Sequence, residues 1–217
     1  MLRLVVDHAS RQALEIFSRE VAPAGTSWAP GTTGPGAGRP GVSPLIKPYA
    51  FFIDKSAVPV QLALDGGAPR AVRVLAEGAG MPAPPLAPPP PPVAWPDDDA
   101  SLLRQVRLID LAWGRSGDKG DTVNIGLVAR RPEWLPLLWQ LLTPEAVGDW
   151  LAHLVRGPVE RFHLPGIAGI NFVLQQALAG GGPRSPRLDP LGKGMAQLLL
   201  DMPLRVPAAL LAEAPKI

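Results

Sequence analysis

Seven side chains able to carry charge or bind it, Arg115, Ser116, Asp118, Lys119, Asp121, Thr122 and Asn124, fall within LAWGRSGDKGDTVNIGL, residues 111–127. Gly114, Gly117 and Gly120 are interleaved with them. Glycines so placed free the backbone to adopt positive φ and to aim amide groups at a ligand, while Arg115 and Lys119 add positive charge. That is the chemistry of an anion site. The same stretch also supports a hard-cation site, since Asp118, Asp121 and Asn124 are oxygen donors suited to Mg²⁺ or Ca²⁺. The plainest reading is a long hairpin loop whose charges pair in water, each pair stabilising by at most about 1 kcal/mol. Two familiar motifs are excluded. Lys119 does not follow the Gly-Lys-Ser/Thr order of a Walker A loop, and Gly120 occupies a ligand position of an EF-hand.

A second glycine loop, AGGGPRSPRLDP, poses the same choice. Gly180, Gly181 and Gly182 read as a helix stop, and Arg184, Ser185 and Arg187 precede a helix expected to start near Asp189, where the dipole favours anions. Asp189 as N-cap would compete for that end and could pair with Arg187. Ser116 lacks a Gly-x-Ser-x-Gly elbow, so no Ser-His-Asp triad is read. His163, on the face of Val159 and Arg161, and His153 read as structural. Trp113, Trp134, Trp139 and Trp150 read as core or interface anchors.

These residues need elements to hold them. Strands are expected over Val106 to Ala112 and Thr122 to Ala129, with the polar cluster as their connection. In the second strand Val123, Ile125 and Leu127 share one face, and Thr122, Asn124, Gly126 and Val128 the other. A helical stripe of Trp134, Leu137, Leu138 and Leu141 follows, then a helix capped by Thr143 with Pro144 in its first position. Val159 to Leu164 reads as a strand, and Asn171 to Ala179 as a short helix stopped by the glycines. The helix from Asp189 carries Leu191, Met195, Leu198 and Met202 on one face.

Upstream, LRLVVDH alternates like a strand, and Ser10 caps a helix bearing Leu14, Phe17 and Val21. About twenty residues without periodicity follow. LIKPYAFFID reads as a strand, and VPVQLAL turns through Asp65, Gly66 and Gly67 into AVRVLA as a hairpin. Nine prolines lie in MPAPPLAPPPPPVAWP, residues 81–96, so this segment reads as a semi-rigid polyproline II linker, a PxxP docking ligand being the alternative.

Composition limits the function classes. With 217 residues, 47% hydrophobic and 18% charged, the chain can bury a sizeable core. Its 21 basic and 19 acidic residues give +2 without a basic run, so nucleic acid is not an expected partner. The absence of cysteine excludes disulfides, thiolate nucleophiles and Cys-ligated zinc, and three scattered histidines offer no metal spacing. Beyond the Mg²⁺ or Ca²⁺ reading no cofactor is called for. No membrane span or signal peptide is read, and a reducing cytoplasm is the expectation.

The segments LAWGRSGDKGDTVNIGLVAR, GPVERFHLPGIAGINFVLQQALAGGGPRSPRLDPLGKGMAQLLLDMP and APAGTSWAPGTTG resemble the acyclic terpene utilisation AtuA family. The likeness implies an α+β chain: a ferredoxin-like C-terminal domain with helices on one face of a small sheet, a proline-rich linker, and an N-terminal β-α-β-β fragment. The expected boundaries are 1–77 for the tail of the family's larger N-terminal domain, 78–103 for the linker, 104–208 for the ferredoxin-like domain and 209–217 for a C-terminal tail. The resemblance implies a place in the breakdown of acyclic terpenes such as citronellol and geraniol through acyl-CoA intermediates, without defining a reaction. Expected partners are a small anionic or acyl-CoA-type ligand at Arg115, Ser116, Asp118, Lys119, Asp121, Asn124, Arg184 and Ser185, a separate chain carrying the N-terminal domain, and further copies of this chain by self-association. A non-catalytic assembly module and an inactive fragment of a split gene stand as alternatives to a catalytic or accessory component.

Overall fold

The computed structural model describes residues 4–31, 38–46, 49, 51–72, 84–93 and 102–212. The chain divides into two compact units, Met1–Lys47 with Pro89–Ile217, and Pro48–Pro88. This partition cuts across the boundaries expected at 77 and 103.

In the first unit, helix α1 (Arg11–Ser27) begins where expected, with the Ser10 side chain accepting from the Ala13 amide. It continues through Pro23 into the stretch read as aperiodic. Residues 4–8 form no strand, a correction with a simple cause: they pair with no other segment and Leu4, Val5 and Val6 stay exposed. A period-two pattern needs a sheet to join.

The second unit contains the expected hairpin. Strands β1 (Val60–Leu62) and β2 (Arg70–Val72) pair antiparallel, and Asp65 and Gly66 take positive φ in the connection. The described residues of LIKPYAFFID form no strand. Pro48 lacks a ladder donor, and Asp54 caps a single 3₁₀ turn, Lys55–Ala57, by accepting from the Ser56 amide at 2.8 Å. The end of AVRVLA, both ends of the proline segment and residues 213–217 lie outside the described residues. Residues 84–93 contain neither helix nor strand.

The C-terminal part is α+β, as expected. Strand β3 (Leu103–Arg107) ends in a 3₁₀ turn, so Val106 to Ala112 is not one strand. β4 (Ala112–Lys119) and β5 (Thr122–Ala129) follow. After a 3₁₀ turn come α2 (Leu135–Leu141) and α3 (Pro144–Trp150), the latter capped by Thr143 accepting from Ala146 at 3.1 Å. Strands β6 (Val159–Leu164) and β7 (Gly169–Leu174), helix α4 (Met195–Leu200), strand β8 (Pro203–Pro207) and helix α5 (Ala208–Ala212) complete the order.

The main sheet runs β4-β5-β7-β6, antiparallel throughout, and β3 pairs separately with β8. Asn171 to Ala179 is therefore not a helix. GINFVL alternates, Ile170, Phe172 and Leu174 being buried, and pairing on both sides overrides the helix-forming residues after it. The face carrying Val123, Ile125, Leu127, Ile170 and Phe172 forms the core beneath α2, α3 and α4. The opposite face carries Asn124, Gly126, Asn171 and Phe162, all half-buried. No helix among the described residues is long and apolar enough to cross a membrane.

Candidate functional site

The polar cluster is mostly strand. Lys119 faces Thr122 across the ladder, which leaves Gly120 and Asp121 as a two-residue turn. Gly120 has φ of +67°, the requirement of a hairpin turn with glycine first. Arg115 to Lys119, expected in a loop, thus alternate across a sheet. Ala112, Gly114, Ser116 and Asp118 fall on the helix side, and Trp113, Arg115, Gly117 and Lys119 on the other. Glycine serves close approach here: a Cβ at Gly114 would stand 2.9 Å from the Leu127 side chain and 3.2 Å from that of Leu200.

Two of the candidate residues hold the scaffold. Ser116 is buried, donates to the Lys193 carbonyl at 3.1 Å and accepts from the Ala196 amide at 2.9 Å, tying β4 to the first turn of α4. Asp121 Oδ1 accepts from the amides of Leu178 at 3.0 Å and Gly180 at 2.9 Å, and its carbonyl accepts from Ala177. The two glycine loops therefore do meet. What they enclose is the Asp121 carboxylate, which takes the amides a bound anion would need.

The second loop is likewise satisfied from within. Asp189 accepts from Lys193 N at 2.9 Å and Gly194 N at 2.7 Å, and it caps a turn rather than a helix, because α4 starts only at Met195. Leu191, ahead of that helix, and Leu198, within it, are both exposed. The Arg187 guanidinium donates to the carbonyls of Ala177 and Leu154, and burial pushes its pKa down. Ser185 accepts from Arg187 N, and Arg184 lies exposed against Gly180.

The remaining candidates converge. Arg115, Ser116, Gly117, Asp118, Lys119, Asn124, Gly126 and Lys193 line a depression of about 260 Å³ at the β4 edge and the adjoining sheet face. Gly117 and Gly126 leave it without side chains at its floor, and a Cβ at Gly117 would come within 3.0 Å of Lys193 Nζ. Lys193 Nζ pairs with Asp118 Oδ1 at 3.2 Å. Its hydrogen bond holds the Asp118 carboxyl below the usual carboxylate range, so the pair outlasts the ordinary titration of a carboxylate as pH falls. Asn124 Nδ2 donates to Asn171 Oδ1 at 2.8 Å. Arg115 and Lys119 are exposed and form no ion pair among the described residues.

Lys193 is the member that the sequence reading missed. Its only signal is its place between Gly192 and Gly194 ahead of an apolar helix, where the glycines bring it onto β4. The oxygen donors read as a cation site do not share a centre: Asp118 turns to Lys193, Asp121 to backbone amides and Asn124 to Asn171. Among the described residues no group of three or more His, Asp or Glu stands together to hold a metal. His163 lies on the core side, its ring 5.6 Å from that of Trp139. Arg161 stacks 3.7 Å over Trp139 and donates to the carbonyls of Trp139 and Leu142, ending α2. Trp134 is core, Trp113 is half-exposed beneath Arg130, and Trp150 donates to the Leu198 carbonyl.

Compared with known families, residues 106–205 match the AtuA ferredoxin-like domain. No curated protein and no solved structure matches the chain.

Proposed function

With residues 106–205 as an AtuA ferredoxin-like domain, we propose that the chain is an anion-binding component of acyl-CoA or acyclic-terpene catabolism in the cytoplasm. The depression at the β4 edge is its ligand site. The observation that carries this reading is the excess of positive charge there: Arg115, Lys119 and Lys193 against the single carboxylate of Asp118. Asn124 adds an amide, and the glycine floor lets a ligand approach the backbone. No side chain in the depression supplies a histidine, thiol or second carboxylate for acid–base work, so the reading is of binding rather than of a defined reaction. Asp121, Arg184 and Ser185, outside the depression, have no ligand role in it.

Calorimetric titration with acetyl-CoA and with isovalerate tests the proposal. Lys119→Ala should weaken binding about five-fold, the worth of roughly 1 kcal/mol, with melting temperature nearly unchanged because an exposed charge contributes little to folding. Asp118→Asn should leave binding equal or stronger. No heat and no thermal shift with either anion would sink the reading.

One observation favours a second reading, an assembly module. Every described residue of 49–72 is exposed, including Tyr49, Phe51, Phe52, Ile53, Val60 and Leu62. A two-stranded hairpin is marginal alone in water, so this unit calls for a covering partner, another copy or a chain carrying a larger domain. Sedimentation of the purified chain should show self-association that is lost when Phe51 and Phe52 become serine. A monodisperse monomer at high concentration would contradict self-association.

A further inference from the structure

We infer that the β4-edge depression selects a compact dianion, a phosphate monoester or a small dicarboxylate, over a monocarboxylate. The inference rests on the anion-binding reading above and narrows it. Arg115, Lys119 and Lys193 carry three positive charges, and Asp118 returns one negative charge, already engaged by Lys193 at 3.2 Å. Two positive charges are left over. A monoanion neutralises half of that excess and a dianion all of it.

The kind of cation and the size of the site narrow the class further. A guanidinium presents paired donors to two oxygens of one group, and lysine ammonium groups are point charges with rotatable donors. Arg115 and Lys119 are four residues apart on one face of β4 with Gly117 between them, both line the depression, and Lys193 Nζ lies against Gly117. At about 260 Å³ the depression falls below the roughly 300–1,000 Å³ of pockets that enclose drug-sized ligands. It therefore takes a charged head and leaves the body of the ligand outside. For a coenzyme thioester the fitting part is a terminal phosphate monoester, not the acyl group.

The decisive experiment measures affinities of the full chain for sulfate, methyl phosphate, succinate and acetate at constant ionic strength. The expected result is binding of the three dianions about five-fold tighter than acetate at pH 7.5. Between pH 5.5 and 7.5 a phosphate monoester gains its second charge, so methyl phosphate should bind about three-fold tighter at the higher pH. Sulfate, doubly charged throughout, should stay level. The charged groups lining the depression are Arg115, Asp118, Lys119 and Lys193; Asp189 lies outside the lining, its carboxylate engaged by the Lys193 and Gly194 amides, and no histidine lines the depression. Lys119→Gln and Lys193→Gln should each narrow the preference for dianions, and Arg184→Gln, outside the depression, should leave it intact. CoA binding more tightly than its analogue without the ribose phosphate would mark the phosphate source, and succinate binding as well as methyl phosphate would mark the broader dianion class. Acetate binding as tightly as sulfate, with affinity still dependent on Lys119, overturns the dianion inference and leaves the anion reading standing. Absence of binding by all four overturns both.

Discussion

Gly181→Ala is expected to destabilise the protein by about 3 kcal/mol or more, whereas the same change one residue later should cost only about 1 kcal/mol. Gly181 sits at φ 67° and ψ 158°, a region open essentially to glycine alone. A Cβ there would collide with the Gly120 carbonyl oxygen, and would stand 2.6 Å from its carbon and 3.0 Å from the Asp121 amide. The obstacle is backbone of the hairpin turn, not a side chain that can rotate away. Relief requires separating the two glycine loops, which breaks the Asp121 contacts as well. Gly182 also has positive φ, 52°, but a Cβ there meets nothing within 4 Å. Only the left-handed strain remains. Equilibrium urea unfolding of the two variants checks the contrast, and equal losses would show that the junction is looser than its geometry.

Asp121→Ala should cost about 2–4 kcal/mol, because hydrogen bonds to a charged acceptor are worth more than neutral ones and two donors, one on a buried residue and one on a half-buried residue, lose their acceptor. Those donors are the amides of Leu178 and Gly180. Asp121→Asn keeps an oxygen in place and should recover about half of the loss. Hydrogen exchange offers a site-specific check: the Leu178 and Gly180 amides should lose protection in the alanine variant, while Phe172 in the central ladder should not. A loss under about 0.5 kcal/mol, with both amides still protected, would mean that solvent replaces the carboxylate without cost. The carboxylate would then be dispensable to the junction.

The parts of the fold that were legible share one property, a local signal that agrees with the tertiary environment. VERFHL, bounded by Gly157-Pro158 and Pro165-Gly166, sits in a ladder, Thr143 and Pro144 supply a cap and a first position, and Asp65 with Gly66 makes a turn. Disagreement produced the errors. In β4 the run of glycines and charges carries weak strand propensity, and pairing with β5 along its whole length decides the matter. Asn171 to Ala179 reads as a short helix, yet its first four residues belong to β7, which is held on both sides. For α4, Gly192 at φ 60° keeps the chain in a turn and shortens the expected helix by about a turn and a half.

The candidate site was legible in part for the same reason. Arg115, Asp118, Lys119 and Asn124 were visible as a polar cluster because they are close in sequence, and the register brings them around one depression. Ser116 and Asp121 have the same residue chemistry but bond to backbone groups of the scaffold, a distinction set by tertiary contacts rather than by composition. Lys193 comes from more than seventy residues away. No local pattern reports such a contact.

The pairing of β3 with β8 has a consequence for how the domain is made. Arg107 and Pro203 are register partners with about 95 residues between them. Closing a loop of that length costs on the order of 4 kcal/mol of chain entropy, against much less for the two-residue turn between β4 and β5. The central hairpin can form as soon as its strands exist, but β3 waits for the last strand of the domain. During synthesis β3 is thus an unmatched edge until residue 207 has emerged, and the β3–β8 ladder is the last to close. Nascent chains halted before Pro203 should hold the β4–β5 hairpin and leave β3 open to proteases, so the interval between those two events sets when this protein is most exposed to misassociation.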